Sequence, residues 1–222
     1  MSCFVAGTFA KVPVMGNKIR LTDNWEFLRQ DVGNIWELVR PIKKGQPEEQ
    51  PIWTKVTLPH CFNAEDAVDP DLNYYQGPGW YKTRLKLDNP YPDGRMVLYV
   101  YMTKVGSHVG GYDSWNVDIT DAVRAFLASK DAERFGGEIP LSIRCDNTRD
   151  AEMIPSDLSD FNLYGGIYRY LNLVYLPEVS VASLRIEPAL DAKLKKGKLK
   201  VSGTFYNPAD VREALVEVTV KN

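Results

Sequence analysis

The chain has 222 residues, 44% hydrophobic and 25% charged, with a net charge of −2. That is the balance of an ordinary globular protein, long for a single domain and short for two large ones. The near-neutral charge leaves no electrostatic footprint for nucleic acid or an anionic membrane, and no apolar run is long enough to span a bilayer.

Residues 1–10 are mildly apolar but lack a basic leader and an apolar core, so they do not read as an intact signal peptide. Cys3 could be a lipid-attachment cysteine, although a free thiol is the preferred reading, and a periplasmic or other extracytoplasmic location is the expectation. With Cys61 and Cys145 the cysteines are odd in number and widely spaced, so neither a disulfide framework nor a metal cluster follows. Ile19-Arg-Leu opens a short strand pattern, followed by Trp25, Phe27 and Trp36. Residues 43–51, with Gly45, Pro47 and Pro51, form a loop. Residues 52–58 alternate apolar and polar and predict a strand, which Pro59 ends because proline cannot donate to a ladder. The stretch 60–79 is irregular and rich in Asp, Asn and Pro. Loops of that length inside a compact domain are usually functional or disordered.

Residues 80–87 predict the clearest strand, with Tyr81, Thr83, Leu85 and Leu87 on one face and Lys82, Arg84 and Lys86 on the other. Asn89-Pro-Tyr-Pro-Asp-Gly is a turn, and the apolar run 96–102 predicts a strand buried on both faces. Residues 106–112 form a glycine-punctuated loop. The one helix is predicted over 120–130, capped by Thr120, with Asp121 at the positive end of the dipole and Ala122, Val123, Phe126 and Leu127 as its apolar stripe.

Strands follow at 139–145 and 167–176. In the second, Ile167, Arg169, Leu171 and Leu173 alternate with Tyr168, Tyr170 and Asn172. It is preceded by an acidic, aromatic loop that starts at Asp160 and runs into Gly165-Gly166, a pair that permits positive φ or a close backbone approach. Such a loop suits a small polar ligand, and the plainer alternative is an ordinary loop before a core strand. After Pro177, strands are predicted at 179–186, 199–205 and 214–220. The pattern is an all-β sandwich with one short helix, followed by a smaller sandwich of fewer residues than the about 100 of a complete immunoglobulin-type domain.

Side-chain chemistry alone offers little. No pair of carboxyl groups reads as a general acid and its partner base. Glu48-Glu49, Glu65-Asp66 and Asp69 with Asp71 read instead as solvated loop acids. His60 and His108 lie beside no plausible nucleophile. Asp69, Asp71 and Asn73 alternate as in a calcium loop, but Tyr74 and Trp80 stand where its glycine and glutamate belong, so no metal site is assigned. Trp53, Trp80, Trp115 and Tyr168 read as core.

Placed in order, Trp53-Thr-Lys-Val-Thr-Leu-Pro-His, Gly79-Trp-Tyr-Lys-Thr-Arg-Leu and Val105-Gly-Ser-His-Val-Gly-Gly-Tyr form the first half of a longer pattern. Asp118-Ile-Thr-Asp, Ser142-Ile-Arg-Cys-Asp-Asn and Tyr164-Gly-Gly-Ile-Tyr-Arg complete it. The series resembles the N-terminal region of family-2 glycoside hydrolases, the β-galactosidase, β-glucuronidase and β-mannosidase group. The resemblance implies a jelly-roll (galactose-binding-like) sugar-binding domain over residues 17–178, after an extension of residues 1–16. Residues 179–222 would begin an immunoglobulin-like domain and leave it incomplete. Two departures stand out. Residues 96–104 compress a region where the family runs one strand out and another back, with Met102-Thr103 in place of an Asn-Gly turn. The (β/α)₈ barrel that carries the family's catalytic glutamates is not among these residues.

The resemblance therefore implies a non-catalytic domain, inactive alone and without cofactor, that lends loop residues to a barrel of the same protein acting on β-glycosides. Asp160, six residues before Gly166, falls on the position of a family aspartate that hydrogen-bonds the sugar. Asp146 and Asn147 fall in a second loop resembling part of the active-site rim. The alternatives are a stand-alone carbohydrate-binding module or lectin, and a structural spacer. The tail is expected either to pair between chains or to exchange its amides quickly.

Overall fold

The computed structural model describes residues 17–33, 38, 53–90, 95–96, 104–111, 114–153, 162–191, 196–208 and 210–217. The fold is all-β, of the sandwich class, with nine strands and two short helices among the described residues. The chain divides into two units, a larger one of Ile19–Asp88 with Met96–Leu173 and a smaller one centred on Val174–Asn222.

The principal sheet of the larger unit is antiparallel, in the order β3 (Thr54–Val56), β2 (Trp25–Leu28), β4 (Pro78–Leu85), β6 (Ile139–Asp146). Side-chain alternation fixes its register, since a slip of one residue would turn every inward side chain outward. Tyr81, Thr83 and Leu85 face Ile143, Leu141 and Ile139 across the ladder, and all six are buried. Trp25 meets Tyr81 edge-on at 6.5 Å, a geometry worth about 0.5–1.5 kcal/mol beyond the area buried.

The same alternation corrects the expected aromatic core. What turns Tyr81 inward turns Trp80 outward, where its indole N–H donates to Asp31 Oδ1 at 2.7 Å. Trp53 is half-buried beneath the Lys82 ammonium, Tyr168 is half-buried, and Trp115 is exposed and stacked on His108. Among the described residues the fully buried aromatics are Trp25, Tyr81 and Tyr175.

Helix α1 (Thr120–Leu127) buries Val123 and Phe126, with Ile119 buried just before it, while Leu127 at the edge of the expected stripe is exposed. Thr120 is not its cap. It is the first helical residue and is buried, and Asp118 Oδ1 accepts its N–H at 2.9 Å. A second helix, α2 (Asp131–Arg134), follows at once, and Phe126 meets Phe135 edge-on across the turn.

A second sheet has the order β1 (Asn17–Arg20), β7 (Asn172–Leu176), β5 (Arg95–Met96). The strand expected over 96–102 is described only at its start, and residues 97–103 lie outside the described residues. β7 begins at Asn172, not at residue 167, because the preceding carbonyls bond to loops. Ile167 O accepts from His60 N at 2.9 Å and Leu171 O from Leu21 N at 3.0 Å.

In the smaller unit β8 (Ser180–Leu190) and β9 (Gly197–Tyr206) form an antiparallel ribbon with a register shift between Val181 and Ser183. Gly203 sits beside that shift, so close to the Ser183 carbonyl that a side chain there would collide with it. Leu184, Ile186 and Leu190 share one face with Leu199 and Phe205 of β9, and all five are exposed. The third strand expected at 214–220 is not formed at residues 214–217, and 218–220 lie outside the described residues. Before it Asn207 closes a turn, exchanging side-chain bonds with Val211 N at 3.0 Å and Val211 O at 2.8 Å.

Candidate functional site

The loops at 60–66, 75–77, 146–148 and 162–167 of the larger unit come together. The glycine pair is one reason. Gly166 has φ of +116°, and a Cβ there would lie 2.5 Å from His60 O and 2.6 Å from the Tyr81 hydroxyl. Gly165 is fully covered by the Phe62 ring, which occupies the space a side chain would need. With both side chains absent, His60 N bonds Ile167 O and Phe62 N bonds Gly165 O, at 2.9 and 3.0 Å. His60 Nδ1 lies 2.8 Å from the Tyr81 hydroxyl, and burial holds the His60 pKa below its ordinary value. Phe27 stacks on Phe62, with centroids 5.5 Å apart, and Phe62 meets Tyr75 edge-on.

Two asparagines complete the gathering. Asn63 is wholly buried, and its amide donates to Tyr75 O at 3.2 Å and to Leu163 O at 2.8 Å. Its Oδ1 accepts from Gly165 N at 2.9 Å and from the Cys61 thiol at 3.3 Å. Asn147, also buried, donates to the same carbonyls, Tyr75 O at 3.0 Å and Leu163 O at 2.8 Å. Its Oδ1 accepts from Gly77 N at 2.8 Å. The partners fix both amide orientations, because a flip would set oxygen against carbonyl and N–H against N–H. Nearby, the buried Asp66 carboxylate takes the Arg29 guanidinium and accepts from Tyr75 N at 2.9 Å.

Asp146 is the residue before Asn147 and reaches the surface. Its Oδ1 accepts from Thr148 N at 2.9 Å and the Thr148 hydroxyl at 2.6 Å, and its Oδ2 pairs with Arg144 Nη2 at 2.9 Å. Burial alone would raise its pKa, but the Thr148 bonds and the Arg144 charge outweigh this and hold it below the ordinary value. Arg144 also reaches Asp31, whose pKa is lowered chiefly by the Trp80 indole bond. Burial pushes the thiol of Cys145, turned inward between these, up to about 12, which disfavours the thiolate.

The expected site residues thus divide. Asp146 and Asn147 are adjacent on the rim, one partly exposed and one committed to backbone, and Asp160 lies outside the described residues. Asp66, expected as a solvated loop acid, is instead buried against Arg29, while Asn63, Tyr75 and Gly77 were not singled out from sequence. The only signal was that the irregular stretch 60–79 is long for a compact domain. Among the described residues no group of histidine, cysteine and acidic side chains could hold a metal ion.

A β-sandwich whose rim of loops is stitched by side-chain amides is the class of domain these features define. No protein-family model matches the chain. It is 68% identical to a crystallised β-glucuronidase from Parabacteroides merdae, with a TM-score of 0.82 over 88% of this chain and 27% of that one. A β-glucuronidase from Bacteroides fragilis is 28% identical over 141 residues, 59% of this chain and 19% of its own length. A β-galactosidase from Thermoanaerobacter pseudethanolicus is 23% identical over 171 residues, 71% of this chain and 21% of its own. The chain is a homologue of the β-glucuronidase and β-galactosidase group of glycoside hydrolases, and it spans about a fifth of the length of these curated relatives.

Proposed function

We propose that the chain is the N-terminal, non-catalytic portion of a family-2 glycoside hydrolase acting on β-glycosides, with β-glucuronides the first substrates to test. In this reading residues 17–178 are a jelly-roll sugar-binding domain and residues 179–222 begin an immunoglobulin-like one. The acid and the nucleophile come from a barrel elsewhere in the longer protein. Asp160 contacts the sugar, Asp146 belongs to the rim of the same site, and Asn147 holds the rim in place. An ionised carboxylate can accept two charge-assisted bonds from neighbouring hydroxyls, which suits Asp160 to this work. The observation that supports the reading best is the 68% identity to a β-glucuronidase over 88% of the chain, together with the 27% share of that enzyme it covers.

The test is kinetic, in the complete gene product with p-nitrophenyl β-D-glucuronide. Asp160→Ala should lower kcat/KM by the equivalent of one or two charged hydrogen bonds, roughly 1.5–3 kcal/mol each, and leave Tm nearly unchanged. The 222-residue chain alone should turn over no aryl glycoside and bind monosaccharide no better than millimolar, about −4 kcal/mol. Lost stability with unchanged kinetics would sink the assignment of Asp160. Tight binding of immobilised glycan by the chain alone would favour a stand-alone binding module.

A further inference from the structure

We infer that the larger unit carries a binding cleft for one unit of an acidic saccharide, built by Arg20, Arg84 and Lys86 around Asp23 at the far end of β4 from Gly77. The cleft stands whether or not Asp160 touches sugar. It has a volume of about 230 Å³ and is lined by the end of β1, the turn into β2 and the last residues of β4 with Lys86. Asn24 makes that turn with φ of +63°, a left-handed conformation that asparagine tolerates. The Thr83 hydroxyl ties the turn to the sheet by donating to Asn24 O at 2.7 Å. A pocket for a drug-sized molecule measures about 300–1,000 Å³, so this one suits a single unit of a ligand.

The charges there are one-sided. Arg20, Arg84 and Lys86 are exposed and line the cleft, with Asp23 the single carboxylate beside them. None of the three cations forms an ion pair among the described residues. Two are held by rings instead, Arg20 at 3.7 Å over Tyr170 and Arg84 at 5.2 Å over Phe135. Stacking occupies the face of a guanidinium and leaves its N–H edge, the part that grips a planar anion with two bonds. Trp25 also lines the cleft, and its indole N–H is buried without a partner, a donor still to be satisfied. Asp23 decides the class of ligand. A small inorganic anion would sit against its charge, whereas a sugar acid brings hydroxyl donors that a carboxylate accepts in charge-assisted bonds. Leu21 and Leu85 give the cleft apolar wall for the C–H face of a ring. An anion that also carries hydroxyls and an apolar ring face is a uronate or a sulfated sugar.

The test is a titration of the isotope-labelled 222-residue chain, followed by amide and indole N–H resonances at constant ionic strength. The probes are sodium D-glucuronate and glucose 6-sulfate, against glucose, sodium acetate and sodium sulfate. At least one of the two sugar acids should give saturable shifts at the Thr22–Trp25 and Arg84–Lys86 amides and at the Trp25 indole. It should bind at least tenfold more tightly than glucose, acetate or sulfate, and the tighter of the two names the anion. Arg20→Gln combined with Arg84→Gln should weaken that binding at least tenfold, and Asp23→Ala should narrow the gap between the sugar acid and its free anion. If the double variant does not fold, Lys86→Gln, which removes a charge stacked on no ring, carries the charge test. Shifts at residues 162–167 are read separately, as binding by the loop that follows Asp160. No saturable shift at residues 22–25, or unchanged binding in the charge variants, overturns the cleft. Glucose binding as tightly as the acids overturns the role of the cations, and acetate or sulfate binding as tightly overturns the saccharide.

Discussion

Asn63 and Asn147 lie far apart in the sequence and donate to the same two carbonyl oxygens, those of Tyr75 and Leu163. Each asparagine is therefore partial cover for the other. Removing one leaves both carbonyls with a donor, whereas removing both strands them in the interior, at about 1–3 kcal/mol for each unsatisfied group. Asn63→Ala and Asn147→Ala should each destabilise the fold, and the double variant should lose more than the sum, with a coupling on the order of 1 kcal/mol. Urea unfolding of the four proteins measures this, and simple additivity would show that the shared carbonyls are not what the two residues stabilise.

The glycine pair makes a graded prediction. Gly166→Ala combines a strained positive φ with collisions at His60 O and the Tyr81 hydroxyl, and should cost roughly 2–4 kcal/mol as strain and overpacking add. Gly165→Ala must displace the Phe62 ring, at about 1–3 kcal/mol. Gly137→Ala also meets a positive φ but has open space around it, and should cost about 1 kcal/mol. Chemical denaturation of the three variants gives the order, which equal losses would contradict.

His60 should give the fold an acid sensitivity. Its pKa is lowered in the fold by burial, so the unfolded chain binds the proton more readily. No penalty exists well above the ordinary value of 6.5; stability falls as the pH drops below it, until the folded-state value is passed. The urea midpoint of the wild type should therefore decline between about pH 7 and 5, and His60→Gln should flatten that segment. A slope that survives the substitution would assign the titration to another group.

The β8–β9 ribbon should bind apolar probes. Leu184, Ile186, Leu190, Leu199 and Phe205 give it an exposed apolar face, and a two-stranded ribbon is only marginally stable by itself. Its amides should exchange faster than those of β4 and β6. Anilinonaphthalene sulfonate fluorescence should rise with the wild-type chain, and Ile186→Lys with Leu199→Lys should remove most of the rise. Equal dye binding by the variant would place the apolar surface elsewhere.

Periodicity made much of the fold legible. The alternation of Tyr81, Thr83 and Leu85 gave β4 and its inward face, and the spacing of Val123 and Phe126 gave α1. The glycines at 165 and 166 were legible as a special backbone site, although not which neighbours they admit. What failed were judgements that local pattern cannot make. Trp80 is large and lies in a strand, yet parity puts it outside, and Thr120 looks like a cap while Asp118 does that work from two residues earlier. β7 starts late because Ile167 and Leu171 answer to residues far away in sequence. The asparagine clamp was invisible for the same reason: an asparagine in an irregular stretch looks alike whether it faces water or two buried carbonyls. Asp146 and Asn147 were singled out through family resemblance, and it took coordinates to show that the first faces solvent and the second is spent on backbone.

Joining two loops by side-chain amides, where a backbone ladder would have tied them strand to strand, has a consequence for how such a rim can change. A ladder ties every residue to a register, so an inserted residue shifts all those beyond it. Here the 75–77 and 163–165 segments are joined through the Asn63 and Asn147 side chains, and a ladder takes over at Pro78, where β4 pairs with β6. Residues 69–73 can therefore be lengthened, shortened or exchanged as a cassette, provided Asn63 and Asn147 keep their grip. A library randomised in that stretch would vary what the rim presents while leaving its frame alone.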